Sequence, residues 1–301
     1  MSSPSPFRYT PYAGRKTPFS IGLEPLDPDA WLEPDRNLGR YLDEKQHLFA
    51  TRYDDVFRAR PDTEDAQSEV LDMLASYLPA RHDDIYSIET DGMRIAGPGR
   101  VVSLTDPDRP PLERAARLVQ DDLVLMRKGP KGYELAAAAV CFPSSWTLAE
   151  KFDRPLDAIH APVPGYEGKM ARRLNLIFDR LPDEQIVWRT NWSVYDSDRL
   201  PAFRSGSEFA QFRDTTDFDR AFLRVERQTL RRLPISGDLL FTIMIYVDPL
   251  NRLRNHPDRQ LLAKGLRQQV LALDADQLGY KSLTRRRDQL AGYLETIIDD
   301  G

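Results

Sequence analysis

FLRVERQTLRRLPISGDLLFTIMIYV, residues 222–247, sets two long runs rich in β-formers on either side of the short break PISG. A break of that length between strand-like runs reads as a β-hairpin, which makes the pairing antiparallel. Upstream, IVWRTNWSVY (186–195) reads as a third strand, with no helix between it and the hairpin. Further back, DDLVLMRK (121–128) and YELAAAAVCF (133–142) flank the turn GPKG as a second hairpin. Alanine is a poor strand former. The AAAA run alone is compatible with a helix, and the turn before it and FPSS after it favour a strand.

Helical patterns fill the gap between the two groups of strands. Thr147 and Glu150 make a T-x-x-E capping box. Pro155 suits the first turn of PLDAIH (155–160). From 166 to 181 the residues Tyr166, Met170, Leu174, Ile177, Phe178 and Leu181 form one apolar stripe. Before the strands, DTEDAQSEVLDMLASYL (62–78) is helical by spacing, and Pro79 is expected to end it. Proline-rich residues 98–111 read as a linker, and 257–298 as two helices. The fold class is α+β: a PAS-like antiparallel five-stranded sheet with inserted helices, plus helical N- and C-terminal extensions. The expected units are a largely helical extension with an irregular start (1–118), the core (119–250) and a C-terminal helical segment (251–301).

The composition is that of an ordinary globular chain, 41% hydrophobic and 30% charged, with a net charge of −5 and acids and bases interleaved. That argues against nucleic acid as a partner. One cysteine, Cys141, rules out an internal disulfide and a cysteine-ligated cluster held by this chain alone. The expected location is cytoplasmic, with no membrane partner: there is no transmembrane-length apolar run, and the N-terminus lacks a signal-peptide core. Nucleotide-binding glycine loops, H-E-x-x-H, G-x-S-x-G and C-x-x-C-H are all missing.

Three places can carry chemistry, the third being NWS (191–193), where Asn191 and Trp192 in a strand read as structural before functional. His160, in AIHAPVPGY (158–166), ends an apolar helical run just before two prolines. It reads either as a histidine that caps helix carbonyls or as a single axial ligand, since no second histidine or acid has zinc-site spacing. The strand RVERQTLRR (224–232) puts Arg224, Glu226 and Gln228 on one face and Val225, Arg227 and Thr229 on the other. Charge on both faces fits a solvated edge strand. It also fits a polar patch inside a pocket, where the carboxylate holds a cation and a guanidinium binds a carboxylate or polarises oxygen.

VCFPSSWTLAEKFDRPLDAIHAPVPGY (140–166), NWSVYD (191–196), RVERQTLRRLP (224–234), FTIMIYVDPL (241–250) and YKSL (280–283) resemble the haem-dependent oxidative N-demethylase alpha-subunit family. The resemblance implies a haem-binding PAS-type domain. It implies oxidative demethylation of a small secondary amine such as dimethylamine, with O2 and NADPH-derived electrons, giving a primary amine and formaldehyde. Haem b is then held here without a covalent link, by His160 as axial iron ligand. FMN, an iron–sulfur cluster and tetrahydrofolate belong to flavin/iron–sulfur reductase partner subunits. Glu226 and Arg224 become the catalytic candidates. Arg227, Tyr166 and Trp192 become cofactor contacts. A non-catalytic haem or small-molecule sensor on the same pocket is the alternative. One departure is Ser282, where the family reads glycine.

Overall fold

A computed structural model describes residues 7–14, 18–201, 203 and 217–299, so part of the expected irregular start lies outside the described residues. The N-terminal segment supplies β1 (Glu24–Leu26), α1 (Leu38–Thr51), α2 (Tyr53–Val56), β2 (Phe57–Ala59), α3 (Glu64–Arg81), β3 (Tyr86–Glu89), β4 (Gly92–Ile95), β5 (Arg100–Val102) and α4 (Pro111–Ala116). Next come β6 (Asp122–Gly129), β7 (Gly132–Ala139), α5 (Leu148–Lys151), α6 (Leu156–His160), α7 (Lys169–Arg180), β8 (Ile186–Tyr195), β9 (Phe222–Arg232) and β10 (Leu239–Pro249). Helices α8 (Arg259–Ala272), α9 (Ala275–Tyr280) and α10 (Arg287–Asp299) close the chain.

The main sheet is antiparallel with the order β1-β8-β9-β10-β6-β7-β2. Its five central strands are those expected. The seven-stranded total corrects the expected five. Both edge strands come from the segment before residue 119, so that segment and the core share one sheet. Each edge strand is three residues long, which leaves little free edge for another chain to pair with. Strands β9 and β10 pair from Phe222↔Pro249 to Arg232↔Leu239, and PISG forms the turn. Helix α3 fixes that turn, because the Glu69 carboxylate accepts from Ile235 N at 2.7 Å and Ser236 N at 2.9 Å.

Both faces of the sheet are covered. On one face Val124, Met126, Val187, Leu230 and Leu239 meet Leu148, Leu156, Phe178 and Leu181 from the region of α5–α7. On the other, Leu123, Leu125, Val225, Leu240 and Met244 meet α1, α3, α8 and α10. The alanine run of β7 is buried on both sides, Ala138 in the first cluster and Ala137 and Ala139 in the second. Small side chains there let layers approach from both faces, which is how a poor strand former serves in a strand.

Three local expectations change. Helix α3 runs through Pro79 to Arg81, and His82 N bonds Leu78 O at 2.9 Å. A proline so near the end removes one donor without stopping the last turn. Residues 98–111 are not all linker: Arg100–Val102 is β5, paired with β4 in a separate three-stranded sheet. Gly92 permits that pairing, since a Cβ there would sit 2.1 Å from Val102 O. The C-terminal part has three helices. A reciprocal cap between Asp274 and Gln277 starts α9 as a separate element. No helix of the described residues is long and apolar enough to cross a membrane.

Candidate functional site

His160 is the last residue of α6. Pro162 and Pro164 prevent continuation, and Val163 N bonding His160 O at 2.8 Å tightens the turn. The imidazole Nδ1 lies 3.0 Å from Leu156 O. A carbonyl only accepts, so Nδ1 carries the hydrogen and Nε2 holds the lone pair. Nε2 has no hydrogen-bond partner among the described residues. Burial, reinforced by Lys151 and Arg189 and opposed by the Leu156 bond, pulls the ring's pKa down to about 4, so it is neutral at pH 7. Tyr166 stacks on the ring at 5.0 Å between centroids and 18° between planes. Its hydroxyl donates to Asp157 at 2.7 Å, and Asn175 of α7 donates to the same carboxylate oxygen at 3.0 Å. The capping reading therefore holds at Nδ1, which satisfies a helix carbonyl, and Nε2 is left without a hydrogen-bond partner among the described residues.

The helices α5–α7 cover one face of β8 and β9. Opposed residues in antiparallel strands share a face. The pairs Arg189↔Gln228, Asn191↔Glu226 and Ser193↔Arg224 therefore lie together there. Arg189 Nε donates to Gln228 Oε1 at 2.9 Å, and Gln228 Nε2 donates to Glu226 Oε2 at 2.7 Å. Oε1 of Glu226 has no hydrogen-bond partner among the described residues. Ile243 and Ile245 of β10 stand opposite Gln228 and Glu226, giving the patch an apolar neighbour. Strand β9 is interior to the sheet, so the charges on it are not those of an edge strand.

Arg224 is 2% exposed and has its donors in use. They reach Ser144 Oγ at 2.9 Å, Phe142 O at 2.8 Å and Arg199 O at 3.3 Å. It clamps the chain leaving β7 against β9. Arg227 and Trp192 are not with the others: by register they project from the opposite face. Arg227 donates to Trp31 O at 3.0 Å and Ala30 O at 2.5 Å and faces Glu33 at 3.6 Å. Trp192 Nε1 donates to Gln269 of α8 at 2.7 Å. Sequence parity alone separates Arg224 from Arg227; which face the inserted helices cover is a tertiary fact.

Tyr280 and Lys281, in the YKSL stretch, were not among the candidates. Lys281 is buried, with Nζ 2.5 Å from Trp192 O and 4.5 Å from the centroid of that indole. Burial pulls its pKa down to about 8, with Glu226 opposing the shift and Arg189 adding to it. Glu226 also acts on Tyr280. The available signal was the placement of YKSL at the end of a helix. Ser282 follows α9 with φ +55°, and Leu283 N bonds Leu278 O while Ser282 N bonds Gly279 O. That is a Schellman closure, whose left-handed residue is usually glycine. Ser282→Gly is expected to raise stability by about 1 kcal/mol, read from the denaturant midpoint at unchanged slope.

Beside these residues a cleft of about 420 Å³ opens between Ser20–Leu23 and α7, lined there by Lys169, Met170, Arg173 and Ile177. Its volume falls in the range of small-molecule sites. Arg189 Nη1 reaches Ser20 O at 3.4 Å and Ile21 O at 3.3 Å, so this guanidinium links the cleft wall to the Gln228–Glu226 chain. No group of three or more His, Cys, Asp or Glu able to hold a metal ion occurs among the described residues. The arrangement offers one neutral imidazole with a free lone pair, one carboxylate with a free oxygen, and nearby cations. A protein-family model described as haem-dependent oxidative N-demethylase, alpha subunit-like, matches residues 22–291.

Proposed function

Because this chain belongs to the haem-dependent oxidative N-demethylase alpha subunit-like family, we propose that it is the haem-carrying subunit that removes a methyl group from a small secondary amine. The conversion is dimethylamine, O2, NADPH and a proton to methylamine, formaldehyde, NADP+ and water. The family's description as an alpha subunit implies a multi-subunit assembly. In this reading FMN, the iron–sulfur cluster and tetrahydrofolate sit on partner subunits that pass electrons to this chain, and the complex is cytoplasmic. When bound, haem b supplies activation of O2 for oxidation of a methyl group next to nitrogen.

The observation that carries the proposal is the state of His160. A histidine that ligates iron is neutral and donates its other ring N–H to a carbonyl or carboxylate, which fixes tautomer and orientation. His160 meets both conditions through Leu156 O and burial. Tyr166 supports the ring by stacking and so positions it. The PAS-like assignment of 119–250 is supported by strand order. Numbered within the core, the five strands run second, first, fifth, fourth, third, and α5–α7 follow the second.

Glu226 has the role of holding the amine. Gln228 ties one carboxylate oxygen, which orients the other toward an ammonium group. The Ile243 and Ile245 side chains suit the methyl groups. Arg227 and Trp192 have no part in this assignment, since both lie on the other face of the sheet.

Glu226→Gln keeps the shape and removes the charge. It is expected to weaken amine binding by roughly tenfold to a hundredfold while leaving haem uptake unchanged. The readout is the amine-induced shift in the haem spectrum. Superimposable titrations for the two proteins would remove Glu226 from the role.

A further inference from the structure

The face that carries His160 and Glu226 is rich in guanidinium groups, and one of them is not fully used. Arg224 donates through all three of its nitrogens to Ser144, Arg199 and Phe142. Arg232 likewise reaches Leu181 O, Phe178 O, Gly237 O and the Tyr133 hydroxyl. Arg189 differs. Its Nε bonds an amide oxygen, its Nη1 makes two long contacts to backbone carbonyls, and its Nη2 has no hydrogen-bond partner among the described residues. No carboxylate lies within ion-pair distance of it among those residues; Glu226 is reached only through Gln228.

Arg189 is half-buried, and a guanidinium held only by neutral oxygens keeps a donor available for an arriving anion. Burial lowers its affinity for its proton against the opposing pull of Glu226. The cleft beside it has cationic side chains as well, Lys169 and Arg173. Position, unused donor and surrounding charge all suit a planar, bidentate anion.

We infer that Arg189 is the anchor for a carboxylate of the bound ligand, gripped by the guanidinium behind the Ser20–Ile21 wall of the cleft. This rests on the haem reading given above. Two ligands bring such a group: the propionate of haem, and the acid group of an N-methylated amino acid serving as substrate.

The test uses the full chain, wild type, Arg189→Gln and Arg189→Lys, with folding checked by thermal denaturation. Each is titrated with haemin and with haemin dimethyl ester, whose propionates are uncharged. Each haem-loaded protein is then titrated with sarcosine and with dimethylamine. For a propionate anchor, Arg189→Gln weakens haemin by about tenfold or more, leaves the ester unchanged, and Arg189→Lys restores most of the loss. For a substrate anchor, haemin and ester are unaffected, and Arg189→Gln weakens sarcosine but not dimethylamine. If all four titrations are indifferent to both substitutions, the anchor is overturned and the haem reading stands. If no chain takes up either porphyrin, the haem reading falls and the anchor falls with it.

Discussion

A His160→Ala chain is expected to fold and to take up no haem. The side chain makes one hydrogen bond, to Leu156 O, and one ring contact, with Tyr166. Losing both costs about 1–2 kcal/mol, within the margin of a typical domain. The loss to haem binding is of another kind, because in the proposed reading the imidazole lone pair would hold the iron and no other histidine shares its surroundings. His47, His82 and His256 lie outside α5–α7. His82 is bonded to Leu32 O, and His256 accepts from Asp258 N. The measurement is the Soret band after reconstitution, compared with wild type. Added free imidazole is expected to restore part of it in the variant, which a folding defect would not allow. An unchanged band in His160→Ala would move the ligand elsewhere.

Arg224→Ala is expected to cost about 3 kcal/mol of stability or more, whatever the ligand. The guanidinium is nearly inaccessible and bonds three acceptors on two separate segments, residues 142–144 and Arg199. Truncation leaves those acceptors unmet in the interior and opens a void under the Tyr195 ring, whose centroid lies 5.4 Å from the guanidinium carbon. Equilibrium denaturation reads the effect. A loss under about 1 kcal/mol would mean that the clamp is not structural and would reopen Arg224 as a catalytic group.

Much of this arrangement is legible in the residues. The β9–β10 hairpin follows from two long runs around PISG, because strand period and turn length act locally. Alternation along the strand also separates Arg224 and Glu226 from Arg227, since successive side chains point to opposite faces. The edge strands β1 and β2 were hidden because three residues carry no period. The three-stranded sheet hid because its strands are only three or four residues long, with Pro98 and Gly99 beside β5 imitating a linker.

The site is less legible than the fold. Trp192 sits in a family motif, yet its face depends on the pairing Trp192↔Val225 and on which helices cover it. Lys281 is some 90 positions from Trp192, and only packing of α9 on the edge of β8 brings them to 2.5 Å. Arg189 carried no motif signal, since an arginine in a strand is ordinary until its partners are counted. His160 was open between a capping and a ligating role. The structure shows the capping bond at Nδ1 and leaves the ligating role to Nε2 as a proposal, a division between two nitrogens that local sequence does not carry.

Haem binding and amine recognition are both read from the absorption spectrum of the purified chain reconstituted with haem, recorded with and without dimethylamine. A haem-carrying chain that binds the amine gives a Soret band that shifts when the amine is added. A wild-type chain that gives no Soret band after reconstitution would contradict the haem-carrying role.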